Sequence, residues 1–119
     1  MNHNFKELII WKLAFQISKD SYKLVESFPN FEKYDLSSQM RRAAVSIPSN
    51  IAEGCGRGTD PQLIHFIDIA LGSSCELETQ VLLARDFGYC SEELSISLLD
   101  KINEFQRRTR HFRNKIVNN

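Results

Sequence analysis

Residues 39–54 read QMRRAAVSIPSNIAEG, and the spacing of apolar side chains in and around this stretch decides the fold class. Apolar residues recur every three or four positions, which is the period of an α-helix and not of a strand. The apolar stripe keeps its phase across Pro48. The pattern therefore predicts one kinked helix from about Asp35 to Glu53, ended by Gly54, rather than two short helices. The stripe consists of Leu36, Met40, Ala43, Ala44, Ile47 and Ile51.

Three further segments show the same helical period. Thr59 or Asp60 suits the N-cap of the third helix, Ser91 suits that of the fourth, and Gly88 is a stop signal after the third. Four long helices with short connections predict an all-α protein, an antiparallel up-down-up-down four-helix bundle in a single domain spanning 1–119. The three segments run from about Lys6 to Ser27, from Pro61 to Phe87 and from Glu92 to Val117.

The first and third helices carry apolar residues on more than one face. A small bundle needs one apolar stripe per helix for its own core, so the additional residues predict contacts with a second subunit. The core stripe of the first helix is predicted to be Trp11, Ala14, Ser18, Ser21, Val25 and Phe28. The additional residues are Leu13, Ile17, Leu24, Ile64, Ile67 and Leu71.

Composition and charge exclude several classes of protein. The 119 residues are 42% apolar and 25% charged, with fifteen Lys and Arg balancing fifteen Asp and Glu, which excludes a disordered or globally basic chain. No apolar run is long enough to cross a membrane, and MNHNFKELII lacks the features of a secretory signal. We therefore expect a cytoplasmic protein with no membrane partner. Cys55, Cys75 and Cys90 form no CxxC pair and are expected to be free apolar fillers.

The sequence contains no pattern typical of catalysis or metal binding. The Glu-x-x-His motif of di-iron bundles is absent, since Gln62 and Arg108 stand three positions before His65 and His111. His65 and Asp68 lie one turn apart and can pair, although a solvated pair is the simpler interpretation. We accordingly predict a non-enzymatic protein with no cofactor, metal ion, catalytic residue or small-molecule substrate.

The glycine-rich segment 54–59, GCGRGT, differs from phosphate-binding loops. It lacks the lysine of a P-loop and follows a predicted helix rather than a strand. The simplest interpretation is an interhelical turn. The alternative is an anion held by Arg57 and the start of the third helix, a position that Asp60 would oppose.

Positive charge is concentrated at the end of the fourth helix. Residues 101–119 contain six Lys and Arg against one acid, Glu104. Such a surface can contact the phosphates of RNA or DNA, and the alternative is a solvated helix end whose cations favour the helix dipole. Phe105 and Phe112 are assigned to the core stripe, so no aromatic side chain is expected among these cations for base stacking. This basic ridge consists of Arg107, Arg108, Arg110, Arg113 and Lys115.

A polar stripe follows the second helix beside its apolar one. The functional interpretation is a subunit contact or a ligand surface, and the alternative is a solvent-facing side. Small residues in the second and third helices are expected to let these two helices approach closely. The polar stripe consists of Gln39, Arg42, Ser46, Asn50 and Glu53, and the small residues are Ala43, Ala44, Ala70, Gly72, Ser73 and Ser74.

Several motifs together resemble the four-helix-bundle family of proteins encoded in intervening sequences of 23S rRNA genes. The most specific is the stretch 39–54. The others are Trp11-Lys12-Leu13-Ala14, Phe28-Pro29 with Glu32 and Tyr34, Phe66, Ala70, Gly72-Ser73, Glu76-Leu77-Glu78-Thr79-Gln80 and Gly88-Tyr89.

The resemblance implies a bundle that assembles as a homo-oligomeric ring, typically a pentamer, with no catalytic residue. A related branch, the accessory proteins of diversity-generating retroelements, is strongly basic and is thought to bind nucleic acid and a reverse transcriptase. This chain departs from that branch, because its net charge is zero. Two functions follow as hypotheses: a nucleic-acid-associated assembly protein, or a structural or protein-interaction oligomer with no nucleic-acid contact.

Overall fold

The computed structural model describes residues 4–32 and 35–119, and these residues form helices and no strand. The predicted all-α class and the four helices are confirmed. His3 and Tyr34 lie outside the described residues. The α-helices are α1, Ile9–Val25; α2, Leu36–Gly56; α3, Asp60–Asp86; and α4, Glu92–Val117. Two single-turn 3-10 helices, Phe5–Glu7 and Asn30–Glu32, precede α1 and α2.

Each helix packs against two others and the helices close into a bundle. α1 contacts α2 and α4, and α3 contacts the same two helices. Residues later in one helix contact residues earlier in its neighbour, as expected for antiparallel helices. For example, Gln106 Nε2 donates to Ser74 Oγ over 3.2 Å, whereas Arg113, two turns further on, binds Asp68. These pairs fit the predicted up-down-up-down order, in a body of 46 × 23 × 20 Å.

The helix ends agree closely with the predicted caps. Thr59 Oγ1 accepts from the Gln62 backbone N–H over 3.4 Å, and Ser91 Oγ accepts from that of Leu94 over 3.1 Å. Each cap satisfies one of the N–H groups that a helix leaves unpaired at its start. The predicted bounds of α4 coincide with the observed ones, and those of α3 differ by one residue at each end.

Gly88 ends α3 as predicted. Its φ of +77° lies in the left-handed region, which a glycine adopts without steric cost. The turn then closes in the manner of a Schellman motif: the Tyr89 N–H donates to the Ala84 carbonyl over 2.9 Å and the Gly88 N–H to that of Arg85 over 3.0 Å.

The start of α1 differs from the prediction. The helix begins at Ile9 and not at Lys6, because Asn4 Oδ1 accepts from the Lys6 N–H over 3.2 Å and stabilises a separate 3-10 turn. Leu8 between the two elements is extended, with ψ of 131°. A local side-chain hydrogen bond to the backbone thus competes with the α-helix at this end.

The core stripe of α1 is also rotated from the predicted one. Ile17 and Leu24 are buried in the core, and so is Ile67 of α3, whereas Trp11 and Ser18 are half-buried at the edge. The interpretation of these residues as surplus for a second subunit was therefore wrong. Leu13, Ile64 and Leu71 pack half-buried against the same core. The buried residues of α1 are Ile10, Ala14, Ile17, Ser21, Leu24 and Val25.

α2 is one helix that continues through Pro48, as predicted, but it does not end at Gly54. It continues to Gly56, and the chain reverses at Gly58, where φ is +85°. Gly54 is instead a site of close approach: a Cβ built on it would lie 2.9 Å from Phe66 Cβ of α3. Such a distance is too short for a real Cβ, so glycine at this position permits the α2–α3 contact.

The small residues predicted to let α2 and α3 approach closely are buried in several cases, and one of them is not. Ala43, Ala44, Ala70 and Ser74 are buried, which confirms their predicted role in packing. Gly72 is exposed, and a Cβ there would meet no atom within 4 Å. The prediction was wrong for Gly72, because its position on α3 faces away from α2.

Candidate nucleic-acid interface

The basic ridge extends around the exposed side of α4 from the flank toward α1 to the flank toward α3. The buried Phe105 and Thr109 lie on the opposite, core-facing side, because successive residues rotate by about 100°. Arg107, Arg108 and Lys115 lie on the flank toward α1, and all three line a cleft with the first turn of α1. Arg110 lies between Arg107 and Arg113 on the exposed side of α4, so the five cations form one surface of which only the flank toward α1 borders the cleft.

Arg113 lies on the other flank and is bound to an acid. Its guanidinium donates to Asp68 of α3 with two N–H groups, the second over 3.0 Å to Oδ2. This hydrogen bonding, followed by the charge of Asp68, raises the pKa of Arg113 above its usual value. Asp68 is thus paired with Arg113 and not with His65, which lies edge-on to Phe66 with ring centroids 5.1 Å apart. Arg113 is the ridge cation least suited to binding phosphate.

Arg108 is also paired, although in a more open geometry. Its Nε donates to Glu104 Oε2 over 2.9 Å, one turn earlier on the same exposed face of α4. This contact uses only Nε, so the other guanidinium N–H groups can still bind an anion. In the described residues 4–32 and 35–119, Arg107, Arg110 and Lys115 form no ion pair and are exposed.

The cleft beside the ridge has an apolar floor that no sequence pattern predicts. Phe105 is fully buried as predicted, but Phe112 is only half-buried and lines the cleft. The expectation that no aromatic group accompanies the cations was therefore wrong for Phe112. Phe112 packs half-buried against the edge of the core. Leu8, Ile9, Ile10 and His111 complete the apolar floor and rim.

Three residues of the polar stripe of α2 line a cleft, and the other two form local contacts within or just after the helix. Gln39, Arg42 and Ser46 line a polar cleft of about 300 Å³ with Ser73 and Glu76 of α3. Ser46 Oγ lies 2.8 Å from Ser73 Oγ, which joins the two helices across it.

Asn50 and Glu53 lie beyond this cleft. Asn50 Nδ2 donates to the Ser46 carbonyl over 2.7 Å, and Glu53 binds Arg57 over 2.9 Å. Arg57 also lies over the Phe66 ring, 5.0 Å from its centroid. These partners favour the interhelical-turn interpretation of segment 54–59 over an anion site, because Arg57 is already engaged by a carboxylate and an aromatic ring.

A second apolar surface lies between α1 and α2. Phe5, Trp11 and Phe15 form an aromatic cluster with consecutive ring centroids 5.3 and 5.0 Å apart. Phe15 is 47% exposed and Val45, which faces the same cleft, is 44% exposed. Pro48 and Ala52 extend the floor of the cleft, whose volume is about 350 Å³. This surface carries apolar area that the chain's own core does not cover.

The cysteines and acids form no arrangement typical of catalysis or metal binding in the described part of the chain. Cys55 is buried, Cys90 is half-buried and Cys75 is exposed, so the prediction of apolar fillers does not hold for Cys75. Burial raises the pKa of the Cys55 thiol, and it raises that of Cys90 against the opposing charge of Arg85. Among residues 4–32 and 35–119 no three His, Cys, Asp or Glu side chains converge to hold a metal ion. None of the four helices is apolar enough over its length to span a bilayer, again for the described residues.

The helices define the class of the protein, an all-α four-helix bundle. The chain belongs to the 23S rRNA-intervening sequence protein family, because the model of that family matches residues 6–111. A solved structure from Bacteroides thetaiotaomicron VPI-5482, described as a protein of unknown function from the S23 ribosomal protein family, has the same fold. It is 19% identical, with a TM-score of 0.79 over 88% of this chain and 98% of that one. No curated protein matches the chain.

The family predicted from the motifs is thereby confirmed, and at this identity the solved structure supports the fold alone. The predicted relation to accessory proteins of diversity-generating retroelements stays a prediction.

Proposed function

We propose that this chain is a non-catalytic assembly protein that forms a homo-oligomeric ring and associates with RNA or DNA through α4. The observation that carries the nucleic-acid part is the arrangement of Arg107, Arg108 and Lys115 along one flank of that helix. Cations fixed along a helix face attract phosphates and release counterions from the nucleic acid. The three unpaired cysteines fit a reducing compartment such as the cytoplasm.

The assembly part rests on the exposed apolar surface between α1 and α2. Phe5 and Trp11 of the aromatic cluster pack half-buried against the core, and Phe15 and Val45 beside them present apolar area that the chain's own core does not cover. Such a patch is characteristic of a protein–protein contact. The number of subunits, five, comes from the resemblance of the sequence to its family. A mass equal to one chain at micromolar concentration in light scattering would contradict this part.

Binding through α4 should depend strongly on salt. Each phosphate neutralised contributes about 0.7 to 0.9 to the slope of log affinity against log salt. Replacing Arg107, Arg108 and Arg110 by Gln should flatten that slope by about two units per engaged subunit. The matched control replaces Lys12, Lys19 and Lys23 of α1 by Gln, an equal change in charge on another exposed face. Absence of retention by the unaltered protein at about 50 mM salt, where this attraction is strong, would contradict the nucleic-acid function.

The second function is a protein-interaction oligomer without nucleic-acid contact. Two observations favour it: the net charge is zero, and Arg108 and Arg113 are each bound by a carboxylate. The same salt series separates the two functions. If the oligomer forms but the slope of the unaltered protein is indistinguishable from zero, this second function replaces the first.

A further inference from the structure

A cleft of about 570 Å³ lies where the first turn of α1 meets the last turns of α4. This volume falls within the range of roughly 300–1,000 Å³ that small ligands occupy in proteins. The cleft joins two parts of the chain that are about a hundred residues apart in sequence. It is lined by Glu7, Leu8, Ile9, Ile10, Arg107, Arg108, His111, Phe112 and Lys115.

The lining separates into an apolar floor and a cationic rim. Aliphatic side chains of α1 and the ring of Phe112 form the floor. Arg107 and Lys115 stand at the rim, eight residues apart, which is about 12 Å along a helix. From this spacing the long, flexible side chains of Arg107 and Lys115 can converge on the two phosphates that flank one nucleotide of an extended strand. Glu7 and His111 add hydrogen-bonding groups beside the floor, as the polar edge of a nucleobase requires.

We propose that this cleft holds one unpaired nucleotide of a single-stranded nucleic acid. The base lies against Ile9, Ile10 and Phe112, and Arg107 and Lys115 bind the flanking phosphates. A duplex keeps its bases stacked inside, so it reaches the rim with phosphates only and leaves the floor empty. This inference rests on the proposed nucleic-acid function and adds to it a preference for unpaired strands.

The test compares three labelled probes of equal length by fluorescence anisotropy against the unaltered protein: an intact single strand, an abasic strand of the same charge, and a duplex. Because base contacts with a protein surface strengthen binding appreciably, the intact strand should bind about fivefold or more tightly than the abasic one. Equal affinity for the intact and abasic strands overturns the cleft assignment and leaves the nucleic-acid function standing. Failure of all three probes to bind overturns the proposed function itself.

Two variants test the contributions of the floor and of the rim to binding separately. Ile9 is 58% exposed, so Ile9→Ala should fold normally, reduce the preference for the intact over the abasic strand and leave the salt slope unchanged. Arg107→Gln should lower the slope by about 0.7 to 0.9 and leave the preference unchanged.

The matched control for the floor is Ile96→Ala, an isoleucine of α4 that is 46% exposed and lies outside the cleft. It should change neither the preference nor the salt slope. An Ile9→Ala protein that keeps the full preference for the intact strand would overturn the inference.

Discussion

The hydroxyl of Ser18 in α1 lies 2.6 Å from the carbonyl oxygen of Ala44 in α2 and donates a hydrogen bond to it. In a regular helix that carbonyl would accept from the N–H of residue 48, and Pro48 has none. Ser18 therefore supplies from a neighbouring helix the donor that Pro48 lacks. Both Ala44 and Pro48 are buried, so water does not easily replace this donor. This bond explains how α2 continues through Pro48.

Replacing Ser18 by Ala should leave a buried carbonyl without its donor. The free energy of unfolding should fall by about 1–3 kcal/mol, the cost of an unsatisfied buried polar group. Urea denaturation followed by circular dichroism measures it. The control is Thr79→Ala. The Thr79 hydroxyl donates to a carbonyl of its own helix on an exposed face, so its removal should change the free energy of unfolding by less than about 0.5 kcal/mol.

Pro48→Ala tests the explanation directly. Alanine restores the backbone N–H, so Ala44 regains an intrahelical donor and no longer needs Ser18. The Ser18→Ala substitution should then cost less in the Pro48→Ala background than in the unaltered protein. A double-mutant cycle should give a coupling of about 1 kcal/mol. A cost that is the same in both backgrounds would show that Ser18 acts in another way.

Gly54 and Gly72 should respond to alanine in opposite directions. Gly54→Ala places a Cβ 2.9 Å from Phe66 Cβ and 3.1 Å from Leu63 Cδ1, and such overpacking should lower the free energy of unfolding by about 1–3 kcal/mol. Gly72→Ala meets nothing within 4 Å and should raise it by about 0.5–1 kcal/mol, since alanine is the better helix former. The thermal midpoints of the two variants, measured under the same conditions, give the sign of each change. Equal shifts of the same sign would contradict the close approach at Gly54.

Ala44→Leu should destabilise the bundle. Ala44 is fully buried between helices, so the larger side chain should cost about 1–3 kcal/mol. The thermal midpoint should fall by about 4–8 °C per kcal/mol if unfolding is two-state. Val117→Leu provides the control, because Val117 is 51% exposed at the end of α4, lies outside the surface between α1 and α2 and should tolerate the change. An unchanged midpoint for Ala44→Leu would mean that the phase of α2 is wrong.

The three cysteines should react with a thiol reagent in the order of their exposure. Cys75 is exposed and should react first, and Cys90 is half-buried. Burial raises the pKa of the Cys55 thiol, so both low access and a small thiolate fraction should make it slowest near neutral pH. The reaction rates of Cys90 and Cys55 should increase with pH, and they should do so over a higher pH range than the rate of an ordinary thiol. Labelling followed by peptide mass spectrometry gives the order, and a Cys55 that reacts as fast as Cys75 would contradict it.

Local signals were sufficient for the helices and most of their ends. The caps at Thr59 and Ser91 and the glycine stop at Gly88 act through neighbouring backbone groups, and each was predicted correctly. The apolar period predicts a start of α1 that is too early, because the Asn4–Lys6 hydrogen bond is a weak signal beside it. The sequence predicts a helix stop at Gly54, because it does not show what lies opposite this glycine.

The candidate site depended on the packing of helices that are distant in sequence. The cations of α4 were visible as a charge cluster, but Asp68 of α3 neutralises one of them and Glu104 binds another. The floor of the cleft comes from α1, and no spacing within α4 predicts it. Ser73 and Glu76 likewise join the polar stripe of α2 only because α3 packs beside it.

The sequence by itself determined the all-α class, the four helices and the family, because periodicity, caps and a long motif are properties of the chain in one dimension. The tertiary structure alone decided which cations are free, what lies beneath them and why α2 tolerates Pro48. These properties arise from rotation of each helix about its axis. A rotation of one residue moves a side chain by about 100°, which is enough to transfer Trp11 from the core to its edge and Ile17 into it. Only the packing of all four helices fixes that angle.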